Sequence, residues 1–185
     1  MRKPSATKQS GVTLIELIFS LAILAVLMSI SAPALGSLID RAHSRSAHDA
    51  LLGSLGLARA TAASVQRMVI VCPSIDHADC ADSTTWQHGW IVFEDTNHNN
   101  RRDDDEPLLE VVGEQTGIAI ASSAGRKFVR YRPDGSASGT DLTYTLCDRR
   151  GIGEATAIAV SNPGRARDVR PDPARAAAAC AALGK

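Results

Sequence analysis

From Leu17 to Ile39 the chain runs 23 residues without a charged side chain. At about 1.5 Å per residue a helix of that length reaches roughly 34 Å, enough for the apolar core of a bilayer. Apolar residues then recur at Leu35, Leu38 and Ala42, and at Leu51, Leu52, Leu55, Ala58, Ala62 and Val65. That spacing is close to helical and predicts one helix from about Val12 to about Val65. Pro33 removes one helical hydrogen bond, so a kink or a locally melted turn is expected there. Gly53 and Gly56 weaken the helix and are expected to admit close packing against a sheet. From Met68 the pattern changes to short β-type runs at Met68–Cys72, Trp90–Phe93, Leu108–Val112, Ile118–Ala121, Lys127–Arg132, Leu142–Cys147 and Glu154–Ser161. Turn residues separate them, including Asn97 to Asn100, Asp134-Gly135 and Asn162-Pro163-Gly164. The expected class is α+β, a long N-terminal helix packed on an antiparallel β-sheet head. The expected divisions are 1–11, a leader; 12–65, the helix, with a membrane span at 12–39; and 66–185, the head.

Composition narrows the class further. The 185 residues carry 20 basic and 20 acidic side chains, 44% apolar residues and 4% aromatic ones. This excludes collagen, coiled-coil arrays and a disordered chain, and a single apolar run excludes a polytopic membrane protein. Arg2, Lys3 and Lys8 precede that run with no acid, so the leader is expected to stay cytoplasmic and the head to emerge on the far side. Ala32-Pro33-Ala34 imitates the cleavage site of an ordinary secretion signal. Against that reading, the run is long and Glu16 lies inside its cytoplasmic edge. A carboxylate at membrane depth is costly and is normally kept for a partner.

Cleavage after Gly11 would free the amine of Val12 and make Glu16 the fifth residue of the mature chain. Gly11, the spacing to Glu16, the apolar run and Pro33 at mature position 22 together resemble the signal of type IV pilins and type II secretion pseudopilins. The resemblance implies that a prepilin peptidase cuts after Gly11 and methylates Val12. It further implies that Glu16 pairs with the terminal amine of a neighbouring subunit during fibre assembly. The head resembles that of GspH/FimT/FimU minor pilins, on Gly89-Trp90-Ile91-Val92-Phe93-Glu94-Asp95 with its acidic loop, and on Gly164-Arg165-Ala166-Arg167. Implied partners are other pilins or pseudopilins, prepilin peptidase and the bacterial inner membrane. The implied topology is single-pass with a periplasmic head, and the implied final position is a fibre or pilus tip.

Cys72, Cys80, Cys147 and Cys180 all lie beyond the apolar run, in a compartment where disulfides persist. Three connectivities are possible. The favoured one staples Cys72 to Cys80 locally and ties Cys147 to Cys180. Zinc is the competing reading, because His77 lies between the first pair, but the gap is not that of a zinc knuckle. In Asp95 to Glu106, the residues Asp95, Asn97, Asn99, Asp103 and Glu106 occupy positions 1, 3, 5, 9 and 12 of an EF-hand-like loop. Asn100 replaces the glycine at position 6 and Arg101 and Arg102 add positive charge. A solvated hairpin loop is therefore the expected reading and calcium the alternative. No catalytic set stands out, since Gly135-Ser136-Ala137-Ser138-Gly139 has alanine where a nucleophile elbow needs serine. Neither an enzyme nor a cofactor is expected.

Removing residues 1–11 leaves 17 basic against 20 acidic side chains, net −3, while Pro163–Lys185 alone holds five basic and two acidic ones, net +3. Charge is therefore segregated toward Arg165, Arg167, Arg170 and Arg175. Asp172 is expected to cap a short helix that begins at Pro173 and ends at Gly184. Arginine suits phosphate because its planar fork donates two hydrogen bonds and keeps its charge. By resemblance to FimT-like members, Arg165 and Arg167 bind DNA for uptake, with Arg170 beside them. The competing reading is that these arginines protect an edge strand from aggregation. The functional alternative is a type II secretion pseudopilin acting in protein export with no DNA-binding role.

Overall fold

The computed structural model describes residues 11–183, apart from the side chains of 30–34. The expected leader therefore lies outside the described residues except for Gly11, and so does the helix end expected at Gly184. The chain divides into two compact units, Met1–Leu38 and Ile39–Lys185.

Helix α1 spans Leu14–Val65, 52 residues. Thr13 stands immediately before it, and its Oγ1 accepts the backbone N–H of Glu16 at 3.3 Å. Glu16 thus occupies the first turn, where a carboxylate complements the positive end of the helix dipole. In the first unit Ser20 and Ser29 donate back to the carbonyls of Glu16 and Val26, both at 2.7 Å, so these two hydroxyls are satisfied within the helix. The helical assignment continues through Pro33, so the melted turn expected there does not form. Among the described residues, no helix is long and apolar enough to cross a membrane. The fully described apolar stretch, residues 14–29, is only roughly 24 Å long at helical rise. The expected span at 12–39 thus needs residues 30–34, whose side chains are undescribed.

The second unit is where α1 acquires a buried face. Ala47, Leu51, Leu55, Ala58 and Ala62 are all at most 1% exposed and form one stripe at helical spacing. Two antiparallel sheets meet that stripe, where the sequence suggests one. The first contains β1 (Met68–Pro73), β2 (Trp90–Asp95), β3 (Leu108–Val112) and β5 (Val129–Tyr131), in the order β3-β2-β1-β5. The second contains β4 (Ile118–Ser122), β6 (Leu142–Asp148), β7 (Thr156–Val160) and β8 (Ala166–Val169), in the order β4-β6-β7-β8. The split arises because β4 turns away from β3 and pairs with β6. Trp86 stitches the join: its backbone N–H bonds the Ile120 carbonyl at 2.8 Å, and its ring meets Tyr144 edge-on at 4.8 Å.

The inner faces of both sheets share a core with α1, through Val69, Val71 and Val92 on one side and Ile120, Leu146 and Ile158 on the other. Ser54, buried in the helix stripe, accepts the Trp90 indole N–H at 2.9 Å. Gly53 and Gly56 play no part in this packing, because a Cβ at either would meet nothing within 4 Å. The expectation of close approach there is therefore wrong; both glycines face outward.

Each sheet also has an outer face, and a disulfide-tethered segment closes each one. Cys72 bonds Cys80, with Cα atoms 5.5 Å apart, beside an outer cluster of Ile70, Ile91 and Phe93. Cys147 on β6 bonds Cys180 on α2 (Pro173–Ala182), with Cα atoms 5.2 Å apart. Asp172 caps α2 by accepting the Arg175 N–H at 3.0 Å, and Ala176 and Ala179 are buried.

Candidate functional site

In the first unit, the large apolar side chains described from Val12 to Met28 are each about half exposed or more, so nothing within the described residues covers them. A surface of that kind marks a membrane or protein contact. Glu16 is exposed among them, and its carboxylate has no hydrogen-bond partner within the described residues. Gly11 and Val12 are exposed and non-helical just ahead of α1.

The basic C-terminal segment is built on the hairpin that joins β7 to β8. Ser161 N–H and Oγ both reach the Arg165 carbonyl, at 3.1 and 3.2 Å, and Gly164 N–H bonds the Ser161 carbonyl at 2.7 Å. Gly164 is buried with φ +78°, and a Cβ there would collide with the Gly135 carbonyl oxygen. Arg59 from α1 donates Nε to that same oxygen at 3.0 Å and Nη2 to the Pro163 carbonyl at 3.4 Å. Arg59 is half buried and clamps the two turns together.

β8 is the edge of its sheet, so its residues alternate between two faces. Ala166 packs toward the shared core and Asp168 reaches His48 on α1, which fixes one face. Arg165 and Arg167 therefore share the opposite, outer face, the one over which α2 is tethered. Arg170 lies just beyond the end of β8. All three are exposed, and within the described residues none of them forms an ion pair. Arg167 lies in β8 and Arg165 immediately precedes it.

The Asp95–Glu106 loop is closed by its own hydrogen bonds. Glu106 accepts Thr96 N–H at 2.7 Å and Asp103 N–H at 3.1 Å through its two oxygens, and Asp95 accepts Asn99 and Asn100 N–H at 3.1 and 3.2 Å. Asn97 and Asn99 both donate to Asp103 Oδ2 at 2.7 Å. Asn100 adopts φ 60°, a left-handed conformation that asparagine tolerates, so the glycine missing at this position is not needed. Among the described residues no group of three or more His, Cys, Asp or Glu side chains is placed to hold a metal ion. The calcium alternative gains no support from this geometry.

His48 and its surroundings were not legible as a site. Its Nε2 lies 2.7 Å from Asp168 Oδ1 and its Nδ1 3.2 Å from Asp49 Oδ1. Next to it, Arg150 forks onto buried Asp148 and reaches Glu154 at 2.9 Å. Burial pushes the Asp148 carboxyl up, but hydrogen bonds from Arg150 and Ser44 outweigh it and hold the group below the usual carboxylate range.

The fold and these residues define a pilin-like subunit, a long helix on an antiparallel head. The family described as type II transport protein GspH matches residues 47–164, and the prokaryotic N-terminal methylation motif matches residues 6–32. The chain belongs to the GspH family of minor pilins and pseudopilins. It resembles the crystal structure of the type IV minor pilin FimU of Pseudomonas aeruginosa at TM-score 0.58 and 16% identity, over 76% of this chain and 97% of that one. It also resembles the minor pseudopilin EpsH of the Vibrio cholerae type 2 secretion system at TM-score 0.51 and 11% identity, over 70% and 98%. At such identities the likeness is one of fold. No curated protein sequence matches the chain.

Proposed function

We propose that this chain is processed after Gly11 by a prepilin peptidase and methylated at Val12. It then waits in the inner membrane, with its head in the periplasm, as a minor subunit of a type IV pilus or type II secretion pseudopilus. The observation that carries this reading is Glu16: a carboxylate without a partner among the described residues, one turn into a helix whose apolar side chains are uncovered. The match of the methylation motif to residues 6–32 supports it. In lipid, an unpaired carboxylate costs several kcal/mol, and a neighbouring subunit's terminal amine would offset that cost. Replacing Glu16→Ala should leave insertion and cleavage intact while lowering incorporation into fibres at least tenfold in a sheared-fibre immunoblot. Glu16→Gln should fail equally, because it keeps the helix cap region but not the charge. Incorporation of either variant at the wild-type level would refute the pairing.

A second reading rests on Arg165 and Arg167, exposed on one face without carboxylate partners. They form a short phosphate-binding stripe that contacts DNA during uptake. Changing both to Ala should weaken duplex binding in a gel shift and lower the slope of log K against log salt by about 1.8, from two lost phosphate contacts. An unchanged slope would leave these arginines as guards of the exposed β8 edge. In that case the chain serves as a pseudopilin in protein export without contacting DNA.

A further inference from the structure

α1 enters the second unit at Ile39, the last residue of the charge-free run, and its first turns there meet the turn that follows β6. Arg149 in that turn lies 3.9 Å from Asp40 Oδ1, and buried Asp148 accepts a hydrogen bond from Ser44. Arg150 forks onto Asp148 and reaches Glu154, which fixes the shape of the turn. Its tip is the 3-10 segment Ile152–Glu154, where Ile152 is 52% exposed and belongs to neither hydrophobic cluster. Arg41 and Arg45, one turn apart on α1, share an open cavity of about 490 Å³ with Ser44, Arg150, Glu154 and Thr156.

The acids at this end of the head have neighbours of their own. Asp40 faces Arg149, Arg150 holds Asp148 and Glu154, Asp49 lies 3.2 Å from His48, and Glu114 lies 3.9 Å from His88. Arg41 and Arg45 are exposed and form no ion pair within the described residues. Arg149 is 73% exposed and only loosely engaged by Asp40, so much of its guanidinium stays in solvent. At helical rise Arg41 and Arg45 stand roughly 3 and 9 Å beyond Ile39. A headgroup layer is about 5–7 Å deep beside the hydrocarbon core, and the apolar stem of arginine lets its charge reach that layer. An exposed isoleucine on a rigid turn with arginines around it suits the same boundary, where apolar burial and attraction to anionic lipid act together.

We propose that this end of the head is a lipid-binding foot. Ile152 inserts among the headgroups, while Arg41, Arg45 and Arg149 contact the phosphates of anionic phospholipids. The foot holds the head against the bilayer until the subunit is drawn into a fibre. This deepens the membrane reading given above and rests on it for the presence of the bilayer. Each arginine at an anionic surface favours the docked state about fivefold.

The test uses the full mature chain in nanodiscs of phosphatidylcholine, with or without an equal part of phosphatidylglycerol, read by hydrogen–deuterium exchange. In the wild type, exchange of the segment 149–154 should be about fivefold slower or more when phosphatidylglycerol is present. Arg41→Gln with Arg45→Gln should remove most of that lipid dependence. Ile152→Ser should return exchange in the anionic discs toward the phosphatidylcholine rate. Exchange in β2 reports on the fold and should be unchanged in all variants. A lipid dependence that survives the arginine changes in full would overturn the foot, as would equal slowing by inorganic phosphate in phosphatidylcholine discs, the mark of a free-ion site. Alkaline extraction of native membranes separates this inference from the reading beneath it. A chain that stays in the membrane but exchanges equally in both discs leaves the span standing and sinks the foot. A chain that is extracted sinks both.

Discussion

Replacing Gly164→Ala should lower the melting temperature of the mature protein by roughly 10 °C or more. Gly164 holds φ +78°, a conformation that costs an L-residue about 1–2 kcal/mol by itself. The larger cost is steric, because the new Cβ would overlap the Gly135 carbonyl oxygen and nearly touch the Ser136 backbone. Both neighbours are main chain and cannot rotate aside. The β7–β8 turn would have to move away from the Arg132–Ser136 turn. That movement breaks Ala137 N–H to the Asn162 carbonyl at 2.9 Å and loosens both Arg59 contacts. At about 1 kcal/mol per lost hydrogen bond the sum is about 3–5 kcal/mol, and each kcal/mol shifts a chain of this size by roughly 2–4 °C. Gly125→Ala is the control: φ is also positive, at +75°, but nothing lies within 4 Å of its Cβ. It should cost only the conformational part. Equal melting shifts for the two variants would show that the close approach of the two turns contributes nothing.

Removing the Cys147–Cys180 bond, by changing both residues to Ser, should destabilise the head by about 3–4 kcal/mol. The two residues are 33 apart, and closing a loop of that length removes about this much entropy from the unfolded chain. The local consequence should be larger than the global one. α2 has ten residues, below the length at which an isolated helix holds in water, and it buries only Ala176 and Ala179. Without its tether it should fray from the outer face of the second sheet. Trypsin should then cut after Arg175 many times faster than in wild type, while the rest of the head stays resistant. Unchanged cleavage would mean that packing of two alanines and the Asp172 cap hold α2 without covalent help.

What the sequence discloses and what it hides follow from the range of the interactions. The α1 stripe, the Asp172-Pro173 helix start and most strands come from spacing within a few residues, and those readings agree with the structure. Expected strands at Lys127–Arg132 and Glu154–Ser161 shrink to β5 and β7, the latter preceded by a 3-10 turn at Ile152–Glu154. The division into two sheets is not readable, because every strand carries the same alternation and only nonlocal pairing decides that β4 joins β6. Trp86 likewise looks like a loop residue until the fold places it between the sheets. Arg59 reads as a solvated cation because its acceptors are backbone carbonyls 76 and 104 positions away. His48 and Asp168 are separated by 120 positions, so no local motif could pair them. Among Arg165, Arg167 and Arg170, charge counting groups three residues of which only Arg167 lies within β8. The Thr13 cap of α1 was legible in principle, since Thr13-Leu14-Ile15-Glu16 has the spacing of a helix start.

If proteolysis creates the amine for which Glu16 is kept, intact-mass and terminal-peptide mass spectrometry of protein recovered from its native host will find a chain that begins at Val12 with one added methyl group. A chain beginning at Met1, or anywhere beyond Ala34, would contradict it.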